Sequence, residues 1–357
     1  MNSRFSTLGY HHVTMVSGDA ARTLTFYRDV LGLGLVKKTV NFDDPTSYHL
    51  YFGDPTGSPG TLLTFFEWKD VPRGAPGIGG VHHVAMGVED LDAILQWKRR
   101  LMDHGVRVNG PINRGYFISL YFSDPDGQIL ELATARPGYT IDEPGGLLGR
   151  TVQHPDEAQL QRSLEGRAFA EQGWPEPVPV ITAAMAIRGI HHVSAITDDI
   201  DASHRFYTHA LGLYRVKQTV NQDDLSTPHH FWAHYDGETV TPGSSMTLFG
   251  WPADYKQARG GTGQTHHVAF RAADADQQAE WREHLLGQGV RVSAVMDRTY
   301  FQSIYFRAPD GLLLEIATDG PGFGVDEPVE NLGQTLALPS WLETEREQLQ
   351  RTLVPLR

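Results

Sequence analysis

The sequence predicts an α+β protein built from four βαβββ modules, in each of which a strand and a helix precede three further strands. Two observations support this fold class. A short apolar strand that contains two adjacent histidines occurs four times, at residues 11–12, 82–83, 191–192 and 266–267. After each pair, apolar residues at helical spacing are followed by short apolar runs, which Asp, Pro and Gly turns separate.

The two halves of the chain repeat each other. The histidine pair at 11–12 recurs 180 residues later, and the apolar strand around Glu131 recurs 184 residues later around Glu315. Such offsets indicate a duplicated half that itself contains two related modules. The predicted division is an N-terminal pair of modules in 1–136 (about 8–68 and 80–134), a linker with a helix in 137–186, a C-terminal pair in 187–319 (about 188–251 and 263–318), and a tail with a helix in 320–357.

The first module shows the element order most clearly. A helix is predicted over 20–30, with Asp19 as its N-cap and Gly32 or Gly34 ending it in a left-handed conformation. Strands are predicted over 35–41, 48–52 and 61–68.

The remaining modules follow the same order. Module two has a helix over 90–103 that ends near Gly105, and its last hairpin turns at Asp124 to Gly127. Module three matches module one, and module four matches module two. Two further helices are predicted over 155–172 and 341–352.

The composition favours small-molecule partners. Lys and Arg number 30 against 43 Asp and Glu, so the formal net charge is −13 and no basic footprint for nucleic acid or an anionic membrane exists. The absence of cysteine excludes disulfides, thiolate metal sites and a cysteine nucleophile. No apolar run approaches the ~20 residues that cross a bilayer, and the N-terminus lacks the apolar segment of a secretion signal. We therefore expect a cytoplasmic protein.

The histidines of each pair are expected to play different parts. Successive side chains of a strand point to opposite faces, so both cannot reach one ion directly. The residues that share a face with the second histidine are small, and those that share a face with the first are mostly bulky. We therefore predict that the second histidines face a concavity, whereas the first ones lie behind it or in packing. The second histidines are His12, His83, His192 and His267, and the first are His11, His82, His191 and His266.

A metal site with two histidines and one carboxylate is the favoured interpretation of these strands. An ionised carboxylate in an apolar strand is costly unless it is paired or bound to a metal. Two alternatives remain open. The histidines could be ordinary buried residues satisfied by hydrogen bonds, and Glu131 and Glu315 could pair with Arg114 and Arg298, each 17 residues upstream.

Over nearly its whole length the chain resembles a known family. The segments that carry the resemblance are 37–45 (Lys-Lys-Thr-Val-Asn-Phe-Asp-Asp-Pro), 48–52 (Tyr-His-Leu-Tyr-Phe), 59–61 (Pro-Gly-Thr) and 64–66 (Thr-Phe-Phe). They are similar to the vicinal-oxygen-chelate superfamily, and specifically to ring-cleaving dioxygenases that open para-hydroquinones. The resemblance implies two open, cup-shaped mixed β-barrels with flanking helices, an Fe(II) cofactor with Mn(II) as the alternative, a small aromatic diol and O2 as substrates, and a homo-oligomer.

The resemblance also implies a set of site residues. The metal ligands carried over from the family are His12, His267 and Glu315. Arg298 and Tyr305 are implied to contact substrate or to act as acid and base. His11, Thr14 and His266 are implied to line or support the site.

A second set departs from the family pattern. His83, His192 and Glu131 form it, and Arg114 and Tyr121 accompany it at the same spacing. The duplication also permits a rival grouping within one half, as in catechol-cleaving relatives, with His192, His267 and Glu315 as ligands. The number of working sites stays open at this point.

The chemistry expected of the favoured triad is ring opening. Two imidazoles and one carboxylate on one face of Fe(II) leave positions for a substrate hydroxyl and dioxygen. Tyr305 is expected to donate a hydrogen bond or a proton, and Arg298 to hold an anionic oxygen. His11 and His266 are expected to relay protons or to orient the ligands.

A glyoxalase-type isomerase is the main alternative function, and a metal-free drug-binding protein is the least favoured. The isomerase needs a second carboxylate from the partner module, but aromatic residues are expected to fill that place. Glu67 is the sole candidate for the missing ligand, and a solvent-facing position is expected for it because it lies at a strand end. Lys37 and Lys38 are expected to be solvated. His49, with His229 or His230, is a secondary candidate that is expected to reach the cavity from a neighbouring strand.

Overall fold

The first module has the predicted order of elements. The structure is a computed structural model that describes residues 5–356. The elements of module one are β1 (Tyr10–Ser17), α1 (Ala20–Leu24), β2 (Gly34–Asn41), β3 (Asp44–Gly53) and β4 (Leu62–Glu67). A π-helical turn, Thr25–Val30, extends α1 to the predicted length. The side chain of Asp19 accepts a hydrogen bond from the amide of Arg22, so the predicted N-cap is confirmed. Gly32 has a φ of +72°, which matches the predicted left-handed end.

The other three modules repeat this order. Module two contains β5 (Val81–Val88), α2 (Leu91–Asp103), β6 (Val108–Asn113), β7 (Ile118–Ser123) and β8 (Ile129–Thr134). The linker contributes β9 (Val152–Gln153) and α3 (Leu164–Glu171). Module three contains β10 (Ile190–Thr197), α4 (Ile200–Arg205), β11 (Tyr214–Val220), β12 (Pro228–Ala233) and β13 (Ser245–Gly250). Module four contains β14 (Thr265–Ala272), α5 (Ala275–Gly287), β15 (Met296–Asp297), β16 (Phe301–Arg307) and β17 (Leu313–Pro321), and α6 (Arg346–Thr352) follows in the tail.

Two predicted helices are shorter than expected. The segment 155–172 contains a 3-10 turn, Glu157–Gln159, and then α3, because Ser163 caps a new helix by accepting a hydrogen bond from the amide of Gly166. The segment 341–352 likewise begins as a 3-10 helix, Ser340–Glu345, before α6. Among residues 5–356, no helix is both long enough and apolar enough to span a membrane.

The strands form two sheets, and each sheet joins modules from different halves of the chain. Modules four and one make the first sheet, in the order β15-β16-β17-β14-β1-β4-β3-β2. Modules two and three make the second sheet, in the order β6-β7-β8-β5-β10-β13-β12-β11-β9. Each sheet therefore contains strands from both ranges, 1–136 and 187–319. The antiparallel pairs β1–β14 and β5–β10 lie near the middle of the two sheets.

The register of the first sheet brings distant residues onto one face. Thr14 on β1 pairs with His267 on β14, and His12 pairs with Ala269. Ala269 in turn pairs with Glu315 on the parallel neighbour β17. His12 and His267 are thus diagonal neighbours, and the Glu315 carboxylate rises beside them on the same face.

The opposite face of the strands packs into the hydrophobic core. Val13, Val268 and Leu314 are fully buried there, in a cluster that includes Trp281 and Leu285 of α5. Each such side chain contributes about 1.5–3 kcal/mol when it leaves water. This packing fixes which face of β1, β14 and β17 is free to carry polar side chains.

Lys37 corrects one expectation from the sequence. We predicted a solvated side chain, but Lys37 is 0% exposed. Its Nζ donates to Glu327 at 2.6 Å and also contacts the carboxylate of Asp326. Lys217 is buried similarly, with its Nζ 2.6 Å from Asp142. The acidic partners come from the segments that follow modules two and four. The sequence of a single strand therefore does not reveal them.

Candidate metal centre and its cavity

Three ligand atoms from three strands converge in the first sheet. Nε2 of His12 lies 3.2 Å from Nε2 of His267. Oε2 of Glu315 lies 2.9 Å from the His267 nitrogen and 3.5 Å from the His12 nitrogen. All three side chains are buried. The residues that the family resemblance implied as ligands therefore do meet.

The donor set fits a divalent metal ion. Nitrogen and oxygen ligands bind such ions at about 2.0–2.2 Å, so two ligands at right angles are about 3 Å apart, as these atoms are. Apart from the two histidine ring nitrogens, Oε2 of Glu315 has no hydrogen-bond partner among the described residues, although the carboxylate is 0% exposed. Burial raises the pKa of Glu315, but the facing His12 and His267 outweigh it and hold that pKa well below its usual range. A buried, ionised oxygen between two imidazoles is the arrangement that a cation would complete.

The first histidine of each pair holds the second one in place. Nδ1 of His11 lies 2.9 Å from Nδ1 of His12, and the same contact between His266 and His267 measures 2.8 Å. His11 also hydrogen-bonds to the backbone of Thr318. If its own ring proton serves that carbonyl, His11 accepts the Nδ1 proton of His12, and Nε2 of His12 is left with the lone pair that a metal needs.

β-bulges allow these neighbouring histidines to meet. The register of β1 against β14 skips His11 between Tyr10 and His12, and it skips His266 between Thr265 and His267. An extra unpaired residue bends its strand and re-aims its side chain. Strict alternation, on which the sequence argument depended, puts the second histidines on the concave side, and His12 and His267 do line a cavity. It could not show that each first histidine would contact its neighbour's ring.

Arg298 and Tyr305 line the same cavity. The guanidinium carbon of Arg298 lies 5.4 Å from the centre of the Tyr305 ring, and that ring meets His267 edge-on at 5.6 Å. Burial raises the pKa of the Tyr305 hydroxyl above its usual value, with the Glu315 carboxylate adding to the rise. The tyrosine therefore keeps its proton at neutral pH. The other lining residues are His12, Thr14, Asn41, Phe42, His49, Tyr51, Phe66, His267 and Phe301.

A hydrogen-bonded chain on the opposite wall was largely missed by the sequence argument. Tyr51 contacts Nδ1 of His49 at 3.0 Å, and Nε2 of His49 contacts the Thr64 hydroxyl at 3.1 Å. Thr64 in turn contacts Thr14 at 2.7 Å. His49 was only a weak candidate and Tyr51 was not considered. Their spacing of two residues on one strand was the available signal, because it puts both side chains on one face.

The alternative partners considered from the sequence are not brought together. Glu315 faces the histidines, and Arg298 lies over Tyr305. Glu131 likewise faces His83, at 2.9 Å, and the guanidinium of Arg114 donates to the Tyr121 hydroxyl at 3.1 Å. The rival grouping within one half also fails geometrically, because His192 lies in the other sheet, 3.3 Å from Glu131.

Two segments of the chain match one family model. Residues 9–132 and 189–316 match the Glyoxalase/Bleomycin resistance protein/Dioxygenase superfamily. The chain belongs to this superfamily. The predicted vicinal-oxygen-chelate fold, with its α+β class and its two open barrels, is thereby confirmed.

Relatives that match the chain over nearly its full length are named as dioxygenases. The chain is 34% identical over 355 residues to a Bacillus subtilis protein named "Putative ring-cleaving dioxygenase MhqA", covering 98% of this chain and 99% of that protein. It is 28% identical to the chlorohydroquinone/hydroquinone 1,2-dioxygenase of Sphingobium indicum, covering 97% and 95%. A crystal structure from Bacillus subtilis, described as a "putative dioxygenase", superposes with a TM-score of 0.79 at 32% identity and covers 99% of this chain and 98% of that one.

The position expected for the second carboxylate of an isomerase lies on β4. Thr64 pairs with Thr14 on β1 just as Glu315 pairs with Ala269 on β14, two residues after the ligand histidine in each case. The place of a second carboxylate is therefore held by a threonine. We had expected an aromatic residue there, and that expectation is wrong because Phe65 and Phe66 follow the position rather than fill it.

Glu67 is not the missing ligand. We expected it to face solvent, but it is 5% exposed. Its Oε1 accepts from the amide of Ala20 at 3.1 Å, and its Oε2 accepts from the amide of Tyr48 at 3.4 Å. The carboxylate thus satisfies the first turn of α1, where negative charge is favourable. It lies at the end of β4, away from the triad.

Proposed function

We propose that the chain is an Fe(II)-dependent ring-cleaving dioxygenase of the extradiol type, which opens a hydroquinone or a substituted hydroquinone with O2. The observation that carries the proposal is the buried triad of two imidazoles and one carboxylate, with threonine in place of a fourth ligand. A triad of this kind leaves several metal positions free on the cavity side. The names of the full-length relatives support the same reaction class.

The side chains that line the cavity suit a small aromatic diol. Phe66 and Phe301 supply apolar walls, and Arg298 supplies a positive charge at the cavity lining. A guanidinium beside an anionic oxygen forms charge-assisted hydrogen bonds of about twice the ordinary strength. We assign Arg298 to bind a phenolate oxygen of the diol and to fix the ring against the aromatic walls.

A ferrous ion held by His12, His267 and Glu315 would supply the redox chemistry that lets dioxygen react with an electron-rich ring. One O2 is consumed for each ring, and both of its atoms enter the product, so no external reductant is required. Tyr305 retains its proton and donates a hydrogen bond to the oxygen that gains negative charge. His49 is kept neutral, because burial lowers its pKa well below the usual value. Burial also raises the pKa of Tyr51 well above its usual value, so the tyrosine keeps its proton and its hydroxyl holds His49 by a hydrogen bond to Nδ1.

His11 and His266 have a positioning part in this proposal. Burial and the neighbouring ligand imidazole lower the pKa of His11 to about 3 and that of His266 to about 4. Both rings are therefore neutral at physiological pH. We assign them to orient His12 and His267 through the Nδ1 contacts, so that each ligand ring presents the lone pair of its Nε2.

The proposal is tested by a panel of substrates under one set of conditions. Protein reconstituted anaerobically with Fe(II), and in parallel with Mn(II), is offered hydroquinone, methylhydroquinone, catechol and the methylglyoxal–glutathione adduct. We expect stoichiometric oxygen uptake and loss of ring absorbance with the para-diols. Isomerisation of the glutathione adduct without oxygen uptake would establish the glyoxalase-type alternative. The cytoplasmic location and the homo-oligomer stay predictions.

A further inference from the structure

A second triad lies in the other sheet and has nearly the same geometry as the first. Nε2 of His83 lies 3.2 Å from Nε2 of His192. Oε2 of Glu131 lies 2.9 Å from the His83 nitrogen and 3.3 Å from the His192 nitrogen. The ligand strands again pair so that Ser194 faces His83, and Ala85 pairs with Glu131.

The carboxylate of this second triad is the less satisfied of the two. Glu131 is 0% exposed, and apart from the facing rings of His83 and His192 and the Tyr121 hydroxyl, its oxygens have no hydrogen-bond partner among the described residues. In the first triad, by contrast, the hydroxyl of Ser303 donates to Oε1 of Glu315. A fully buried carboxylate costs several kcal/mol unless a cation compensates it. Two imidazole nitrogens aimed at the same point make that cation a metal ion.

The supporting contacts of a metal site are also present. Nδ1 of His82 lies 2.8 Å from Nδ1 of His83, and His191 makes the same 2.8 Å contact with His192. His191 also hydrogen-bonds to the backbone of Thr134, as His11 does to Thr318. Each Nε2 is thus left to act as a ligand, which ordinary buried histidines in packing would not require.

The mouth of the second centre differs from that of the first. Arg114 corresponds to Arg298, and its guanidinium contacts the side-chain oxygen of Gln222. Gln222 is itself buried, and its amide donates to the backbone carbonyl of Asn113 at 3.1 Å. Phe42 has the position of Gln222 in the first centre, where a phenyl ring offers no such acceptor. The charge that Arg298 presents to a ligand is therefore already engaged at Arg114.

The opposite wall of the second centre also lacks a group of the first. Phe231 stands in the strand position of Tyr51, as Thr247 stands in that of Thr64. His229 still contacts Thr247 at 2.9 Å, but it stacks on Phe249 at 3.9 Å between ring centres. The tyrosine hydroxyl that contacts the histidine in the first centre is replaced by an apolar ring edge.

We propose that His83, Glu131 and His192 form a second divalent-metal centre, which the Arg114–Gln222 contact closes to aromatic diols. The chain then binds two metal ions and presents only one of them to ring substrates. The statement about metal binding is independent of the proposed function. The statement about the diol depends on it, because it assumes that the first centre binds such a ring.

Cobalt(II) titration tests the metal-binding statement without any turnover. Chelator-treated protein is titrated with Co²⁺, and bound cobalt is counted by elemental analysis. We expect two ions per chain for the unchanged protein, and one for each of the variants Glu131→Gln and Glu315→Gln. His83→Ala repeats the loss with a different ligand, and circular dichroism verifies folding. If the unchanged protein binds one ion per chain, and Glu131→Gln and His83→Ala still bind that ion, the second centre is overturned.

The visible spectrum of the bound cobalt tests the closed mouth. Hydroquinone added anaerobically should shift the cobalt bands of Glu131→Gln, which keeps only the first centre. It should leave those of Glu315→Gln unchanged, whereas Glu315→Gln combined with Gln222→Ala should respond. Equal shifts in both single variants, or no response after Gln222→Ala, would overturn the closure. Failure of the proposed function can be distinguished from failure of the second centre. In the former case hydroquinone would not shift the cobalt bands of Glu131→Gln, but the unchanged protein would still bind two ions per chain.

Discussion

Nδ1 of His11 lies 2.9 Å from Nδ1 of His12, although neighbours on a regular strand point to opposite faces. The bulge at His11 makes this contact, and an equivalent bulge residue supports each of the other three second histidines. Each of the four candidate ligand histidines therefore has its Nδ1 in contact with the ring of the histidine that precedes it. The duplicated His-His pairs are ligand and support together, rather than two ligands.

Removing the supporting ring should weaken metal binding without removing a ligand. For His11→Ala we expect the affinity of the first centre for Fe(II) or Co(II) to fall by roughly 10- to 100-fold, because His12 loses its fixed orientation and tautomer. The measurement is a competition titration with a chelator. The matched control is His104→Ala, which removes an exposed histidine. Unchanged affinity in His11→Ala would show that the contact is only packing.

Arg298 should act through substrate binding. Replacing it with Ala removes a charge-assisted contact worth about 1.5–3 kcal/mol, so kcat/KM for hydroquinone should fall roughly 10- to 150-fold. We expect most of the loss in KM and little in metal content. Arg298→Lys should recover only part, because an ammonium does not reproduce the planar fork of the guanidinium. A loss confined to kcat, with KM unchanged, would contradict this role.

Thr64 offers a test of the internal symmetry of the first centre. It holds the position that Glu315 holds in module four, so Thr64→Glu should place a second carboxylate next to the metal. We expect the protein to retain its metal ion but to lose ring cleavage, because the added ligand occupies a position needed by substrate or dioxygen. Elemental analysis and oxygen uptake measure the two effects. Metal content and turnover that both match the unchanged protein would show that residue 64 does not face the ion.

The buried carboxyl of Asp124, which is not part of either triad, should make the stability of the protein depend on pH. Burial raises the pKa of its carboxyl to about 6, while its oxygens accept bonds from Gln128 and Tyr27. The folded state therefore binds more protons than the unfolded state between about pH 4 and 6, and stability falls as the pH rises through that window. Asp124→Asn removes this penalty and should raise the free energy of unfolding at pH 7 by about 1–3 kcal/mol.

Denaturant unfolding at two pH values measures this difference. At pH 4 the carboxyl of Asp124 is largely protonated in the folded state, so the variant and the unchanged protein should be nearly equal. Asp254→Asn, at an exposed position, serves as the control. The opposite result would be an Asp124→Asn variant that is less stable than the unchanged protein at pH 7 and nearly equal to it at pH 4. It would show that the ionised carboxylate stabilises the folded state.

The modules and the two ligand sets were predictable from the sequence because repetition exposed them. Four His-His strands and two acidic strands in register identify the candidate ligands, even though His12 and His267 are 255 residues apart. The pairing of modules across the halves was favoured only through the family resemblance. Strand periodicity describes one strand at a time and carries no information about which strand lies beside it.

Other features depend on tertiary contacts that no local pattern records. The bulges appear only when two strands are aligned, and the buried Lys37 needs Asp326 and Glu327 from the far end of the chain. Glu67 looked like a surface residue because its partners are backbone amides of other elements. Gln222 drew no attention, since its meaning comes entirely from the neighbouring Arg114.

The most direct test of the account is oxygen uptake by His12→Ala reconstituted anaerobically with Fe(II) and supplied with hydroquinone. The control is His154→Ala, an exposed histidine outside both triads. The account predicts that the control consumes one O2 for each ring opened, while His12→Ala binds no iron in the first centre and shows no ring cleavage. Sustained ring cleavage by His12→Ala at the rate of the control would contradict the assignment of His12, His267 and Glu315 as the catalytic metal centre.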